Sequence, residues 1–317
     1  MRVLIINNLK SGAGNVHLLD FMNELGRNGV EITLRFLNGG LDLKQLLADA
    51  AQFDRVVAAG GDGTVSSVCY ALRNTGIPVL AYPAGTANLI SSNLGLPANP
   101  IVLAQITLGN DYTTFDVGEF THFGSAEELP ADKRCGFMGI AGAGYDAEIM
   151  ERAQQLKPSL GMFAYVVGVL QTLAPTYARF KITVDGVRFT SEGIAVLLVN
   201  FAKLQFDLAV THGSDAQDGV FEVAIVRPKT PVGLIPTVWG AVLDRVLGYP
   251  ARRALDVRPA REVLVEADPP LRLQYDGEAP EVVTPFGARV LPGAATLLVG
   301  FPVGESATAD HAHRQAR

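Results

Sequence analysis

Three glycines around one acid, Gly60-Gly61-Asp62-Gly63-Thr64, follow a short apolar run and open a stretch with helical character. At the carboxyl end of a strand in a parallel sheet, such a turn offers the unpaired N–H groups and positive dipole end of the next helix to a phosphate. Glycines let the backbone approach the anion with no Cβ in the way. A tight turn with Asp62 or Thr64 as helix cap would need one glycine, not three. The device recurs at Pro83-Ala84-Gly85-Thr86-Ala87-Asn88, and Asn8, Lys10, Ser11, Gly12 and Gly14 supply a third loop of the same kind. Two Gly-Thr junctions on consecutive strands would lie side by side at one sheet edge, where a single cleft can use all three loops.

Familiar alternatives fail on spacing. No glycine precedes Lys10-Ser11, so the P-loop pattern is broken, and Gly12-Ala13-Gly14 lacks the last glycine of a dinucleotide fingerprint. No HExxH or GxSxG pattern occurs, and five histidines give little support to triad hydrolysis. Asp-Gly pairs stand at residues 62, 185, 218 and 276. On spacing alone Tyr275-Asp276-Gly277-Glu278 is as good a hairpin turn as Asp185-Gly186, and Asp215 and Asp218 read as solvated turn residues.

The elements that must carry these loops alternate in the first third. Strand-like runs at 3–7, 31–37, 55–59 and 78–82 are separated by helical patterns beginning near Leu18, at 43–51 and at 64–74. Short, fully apolar strands between helices imply a parallel sheet covered on both faces. From about Asp116 strands dominate, at 137–140, 181–184, 194–199, 220–226, 263–266, 271–275 and 295–299, with helical patterns at 143–156, 160–174 and 232–247. The expected architecture is an α/β nucleotide domain over 1–116, rejoined by a segment at about 299–317, plus a larger β-rich, sandwich-like domain over 117–298.

Composition narrows the rest. Of 317 residues 48% are hydrophobic and only 18% charged, with a formal charge of -6, which excludes general disorder and gives no basic footprint for nucleic acid. The uncharged stretch from Asn74 to Asn110 is cut by Pro78, Pro83, Pro97 and Pro100, so it reads as buried fold rather than a transmembrane span. No signal peptide is seen before Asn7, which argues for the cytoplasm. Cys69 and Cys135, apart and in apolar settings, read as buried thiols.

Together, GGDGT at 60–64, PAGTAN at 83–88 followed by Leu94-Gly95-Leu96-Pro97, GFMGIAGAGYDAEI at 136–149 and YDGE at 275–278 resemble the diacylglycerol kinase catalytic family. That family includes bacterial lipid kinases, sphingosine kinases and ceramide kinases, and is related to NAD kinase. The resemblance implies an ATP site between the two domains, with phosphate loops at Asn8–Gly12, Gly60–Thr64 and Gly85-Thr86. It carries the family's acids onto Asp276 and Glu278, one of them a general base on the acceptor hydroxyl; the expectation is that Asp276 accepts or orients the hydroxyl proton, with Glu278 supporting it and Asp62 assisting the metal or the phosphates. It carries a structural Mg²⁺ site onto Asp215, Asp218 and the carbonyl of Val220, and returns the last strand to the first domain. Three acids in one cleft of an acidic protein would repel ATP, so Mg²⁺ must accompany the phosphates.

The sequence departs from the family at Leu9, Ser67, Leu89, the glycines expected near Lys203–Phe206 and a proline expected near His212. The expected activity is ATP-dependent phosphorylation of a lipid such as diacylglycerol. Ceramide or sphingoid-base kinase, NAD kinase and a non-catalytic nucleotide- or lipid-binding protein are the alternatives. The lipid would be met at a membrane surface by peripheral association. The apolar segments 160–174 and 232–247, with Trp239, would then line a lipid pocket, touch the interface or pack as core. A homodimer is compatible with the sequence, which leaves the oligomeric state open.

Overall fold

The computed structural model describes residues 1–9, 15–37, 42–144, 176–201, 215–227 and 255–300. Its first strand, β1 (Arg2–Asn8), is buried from Val3 to Asn7 because parallel neighbours flank it on both sides. These are β2 (Glu31–Leu37) and β3 (Arg55–Gly60); β4 (Val79–Pro83) lies parallel beyond β3. Helix α1 (Asn15–Arg27) turns Leu18, Phe21 and Leu25 onto this sheet, each burial contributing roughly 1.5–3 kcal/mol. Gly29, at φ +73°, then reverses the chain.

The helix expected over 43–51 is shorter. Only α2 (Leu43–Leu46) forms, because Arg35 on β2 takes the Leu46 carbonyl (2.6 Å), which a longer helix would use internally, and pairs with Asp49 (2.5 and 2.8 Å). Helix α3 (Asp62–Ala71) follows β3 directly. The uncharged stretch to Asn110 contains β4, α4 (Leu89–Asn93) and α5 (Pro100–Leu108), whose start is fixed by the Asn99 side chain and by Pro100. Among the described residues no helix is long and apolar enough to cross a membrane.

The β-rich half contains β5 (Tyr112–Phe123), β6 (Gly136–Phe137), β7 (Ile140–Gly144), β8 (Ala178–Val184), β9 (Val187–Gly193) and β10 (Ala195–Val199). It continues with β11 (Phe221–Val226), β12 (Leu255–Ala260), β13 (Glu262–Asp268), β14 (Leu273–Tyr275) and β15 (Phe286–Leu298). Ten strands form one sheet, in which β2-β1-β3-β4 is extended by β15-β13-β8-β9, with β5 paired to β15 and β6. The other sheet is antiparallel, in the order β12-β11-β10-β7-β14. Phe120, Phe137, Phe180, Phe221 and Phe286 fill the core between the sheets, giving a sandwich.

The last described strand returns to the first half through β15, before the segment at about 299–317 where the return was expected, and residues 301–317 of that segment lie outside the described ones: Leu297 pairs with Val79 in parallel while its other side runs antiparallel to β5. One helix reading is corrected. The pattern at 143–156 begins inside β7, where Gly142 and Gly144 lie so close to the Val196 and Ile194 carbonyls that no Cβ fits. The remainder of that segment and the patterns at 160–174 and 232–247 lie outside the described residues.

Candidate active site

The carboxyl ends of β1, β3 and β4 bring their loops into contact. Asn8, at the end of β1, donates through Nδ2 to the Thr64 hydroxyl (2.8 Å) in the first turn of α3. A Cβ on Gly85 would lie 2.5 Å from the Gly61 Cα, so the second and third loops touch backbone to backbone. Asn88, at φ +52°, closes its own loop, accepting from Gly85 N–H (2.8 Å) and donating to Gly85 C=O (2.9 Å). Thr86 is exposed beside it. Lys10, Ser11 and Gly12 lie outside the described residues.

Asp62 ties the same loops together. Its Oδ1 accepts from Ile90 N–H (2.9 Å), so the carboxylate caps the first turn of α4. Burial raises its carboxyl above the ordinary value, while the N–H groups of Ile90, Leu89 and Asn88 oppose that rise. Most of this acid's capacity is spent on holding one loop against the next.

The hairpin Tyr275–Glu278 reaches this point from the other half of the chain. Tyr275 and Glu278 exchange backbone hydrogen bonds (2.9 and 2.8 Å), and Asp276 and Gly277 have φ +46° and +83°, a type I′ turn. The Asp276 side chain is buried. Its Oδ2 accepts from the Ser66 hydroxyl on α3 and from Met138 N–H (2.8 Å); its Oδ1 accepts from Gly139 N–H (2.8 Å) and Ile140 N–H (3.0 Å). Burial pushes this carboxyl up to about 6; the Ser66 and Met138 hydrogen bonds pull it down and the Asp62 charge adds to the rise. Glu278 is exposed and lies along Gly63, where a Cβ would come 2.9 Å from its Oε1. The phosphate-type loops and both hairpin acids are thus gathered around the first turns of α3.

Sequence reasoning missed the partners that make this junction. Ser66 and Tyr70, one helical turn apart, present a polar edge of α3 to β6. The Tyr70 hydroxyl donates to Glu119 on β5 (2.7 Å), which Arg289 on β15 also meets (2.8 Å) and Arg134 approaches (3.4 Å). Burial raises the Glu119 carboxyl, but Tyr70, Arg289 and Arg134 outweigh it and hold it below its ordinary value. A Ser and a Tyr at i, i+4, among the apolar Val65, Val68, Cys69 and Ala71 of α3, were the available signal.

The residues expected to hold a structural cation stand elsewhere, under the β5–β15 ribbon. Asp215 and Asp218 are exposed, with one oxygen each accepting from Gln217 N–H (3.1 Å) and Val220 N–H (3.0 Å). Buried Asp116 accepts from Gly219 N–H (2.6 Å) and Gly293 N–H (2.7 Å). Burial raises its carboxyl, and the charges of Asp218 and Asp215 raise it further. Among the described residues no group of three or more His, Cys, Asp or Glu side chains is gathered as a metal site.

Residues 2–120 match the diacylglycerol kinase catalytic domain and residues 139–299 the YegS C-terminal NAD kinase beta sandwich-like domain. The chain belongs to this family of lipid kinases. A probable YegS-like lipid kinase of Xanthomonas euvesicatoria is 28% identical over 324 residues, covering 93% of this chain and 98% of the relative. A diacylglycerol kinase of Mycobacterium tuberculosis is 27% identical over 226 residues, covering 68% of this chain and 70% of the relative. The fold is that of a solved diacylglycerol kinase from Bacillus anthracis, with a TM-score of 0.72 at 22% identity over 94% of this chain and 97% of that one. Members of this family are phosphotransferases, which agrees with the expectation drawn from the four motifs.

Proposed function

We propose that this family member transfers the terminal phosphoryl group of ATP to a lipid hydroxyl, with diacylglycerol as the leading acceptor and ceramide or a sphingoid base as its competitor. The observation that carries the reading is the meeting of the Gly61 and Gly85 loops with Glu278 on the first turn of α3. Phosphoryl transfer needs positioning and charge neutralisation more than covalent help, and helix N-termini joined by glycine loops supply the first. An acid of the 275–278 hairpin then receives or orients the proton of the attacking hydroxyl. NAD kinase is disfavoured, because the likeness to a probable YegS-like lipid kinase covers 93% of this chain, the C-terminal half included.

Mg²⁺ supplies charge neutralisation to the phosphates when bound with the nucleotide. A second, structural cation fits Asp215, Asp218 and the Val220 carbonyl: each acid keeps an oxygen outside its local turn, and their joint charge already weighs on Asp116. In this reading residues 1–116 and the returning end form the nucleotide domain, residues 117–298 the lipid domain, and the enzyme meets its substrate by peripheral contact with a bilayer.

The test is ATP consumption with Mg²⁺ against a panel of diacylglycerol, ceramide and sphingoid base in mixed micelles, and against NAD. Phosphorylated lipid that disappears when EDTA removes the metal is the expected result. No product with any acceptor would overturn the reading in favour of a non-catalytic binding protein.

A further inference from the structure

Within the ten-stranded sheet the two halves of the chain meet where β15 joins β4 through one described residue pair, Leu297 with Val79. Helix α3 crosses that seam: it carries the phosphate-type turn at its start, lies on β3 and β4, and also meets β6 and β15. Three contacts at four-residue spacing tie it to the β-rich half: Ser66 to Asp276, Tyr70 to Glu119, and the Asn74 N–H to the Ala294 carbonyl on β15 (2.8 Å). The middle contact buries a charge. Glu119 is 3% exposed, and its carboxylate gathers the Tyr70 hydroxyl, Arg289 and Arg134 from three segments. Replacing such a buried ionic cluster by apolar residues is often neutral or stabilising, so stability alone does not account for it. The Tyr70 ring also lies so close on Gly136 that no Cβ fits there. Gly136 opens β6, which runs into the turn at 138–140 whose N–H groups seat Asp276.

Resting on the lipid-kinase reading above, we infer that Tyr70, acting through Glu119, is a positioning residue for phosphoryl transfer: it fixes the angle at which α3 presents its phosphate-type turn to an acceptor held by the β-rich half. Tyr70 stands about two helical turns beyond Gly63, so it acts at a distance from the reacting groups. Its hydroxyl is anchored to a carboxylate that Arg289 on β15 and Arg134 before β6 hold from the other side. Loss of that one oxygen loosens the angle and removes no group from the reaction. Phosphoryl transfer in line with its leaving group depends steeply on alignment, so a small rotation of α3 lowers the rate more than it weakens nucleotide binding.

The experiment compares wild type, Tyr70→Phe, Glu119→Leu and the double variant in the micelle assay, each confirmed as folded at the assay temperature by its unfolding curve. Tyr70→Phe keeps the ring on Gly136 and loses only the hydroxyl. Glu119→Leu releases Arg289 to water and leaves Arg134 with Glu128 and the Leu129 carbonyl. Tyr70→Phe is expected to lower kcat about tenfold and to leave the KM for ATP within about twofold. Glu119→Leu should lower kcat by a similar factor, and adding Tyr70→Phe to it should change kcat by less than about twofold, since the effect passes through Glu119. Wild-type kcat in Tyr70→Phe, with only the unfolding midpoint lowered, would show a purely structural tyrosine and overturn the inference. So would a raised KM at unchanged kcat, or the same loss with and without Glu119. If Glu119→Leu does not fold, the kcat and KM of Tyr70→Phe decide alone. In each case an active wild type leaves the kinase reading standing; a wild type inactive on every acceptor removes that reading and the inference with it.

Discussion

The turns Asp185-Gly186 and Asp276-Gly277 have the same two residues in the same backbone conformation, with φ +47° and +81° in one and +46° and +83° in the other. Each closes a two-residue hairpin. Asp185 stays exposed and its Oδ1 accepts from Arg261 N–H (3.0 Å) and Glu262 N–H (2.8 Å), fixing the start of β13. Asp276 is withdrawn from water, accepts four hydrogen bonds and joins a helix to a strand turn more than a hundred residues away in sequence. Turn chemistry therefore explains the geometry of both and the role of neither. The role comes from what each turn is docked against.

The largest expected effect tests that distinction. Alanine at either site carries the same left-handed strain, so Asp276→Ala should cost about 3 kcal/mol more than Asp185→Ala in urea unfolding, because only the first orphans buried donors. Equal costs would erase the difference between the turns.

Next in size is a pH effect. The folded carboxyl of Asp276 lies at about 6, above the usual 3.8, so between those values the folded chain binds this proton more tightly than the unfolded chain. The stabilisation is complete below about pH 4 and lost as pH rises through 6. The stability gap between wild type and Asp276→Ala should therefore widen by up to about 3 kcal/mol as pH falls from 7 to 4; a flat gap refutes it.

A smaller effect belongs to the one hairpin that carries an acid into the site. Gly63→Ala should displace Glu278, a flexible side chain, and lower kcat about tenfold while the unfolding midpoint moves little. Wild-type turnover in that variant would mean that the contact is idle. Smallest of all is the expected difference between Gly186→Ala and Gly277→Ala. Neither Cβ would meet an atom within 4 Å, so each should cost roughly 1–2 kcal/mol from positive φ alone, equal within about 0.5.

What the sequence made legible follows from where the information lies. Strands such as Val3–Asn7 and the glycine loops after them are encoded locally, by unbroken apolar runs and by residues that punctuate them. β5 was invisible to that reading because Asp116, Glu119 and Thr121 interrupt it, and all three are buried. Asp116 and Glu119 find partners on Gly219, Gly293, Tyr70 and Arg289, far away in sequence. The same cause hid Ser66, whose reason for being polar is Asp276. Its neighbour Ser67 is where the family pattern is broken. The split between Asp276 and Glu278 was equally out of reach, since adjacent motif letters carry no information about which carboxylate faces inward.

The pairing of Leu297 with Val79 has a consequence for how the protein is made. On a growing chain, β4 has no neighbour on its outer side among the described strands until β15 has left the ribosome, long after β4 itself. Until then the parallel half presents an open strand edge, the kind of surface that recruits unwanted partners. Its three phosphate-type loops will have emerged long before the sheet beneath them is closed. Such a distant pairing predicts slow final assembly, since the parallel half is closed only once β15 has docked.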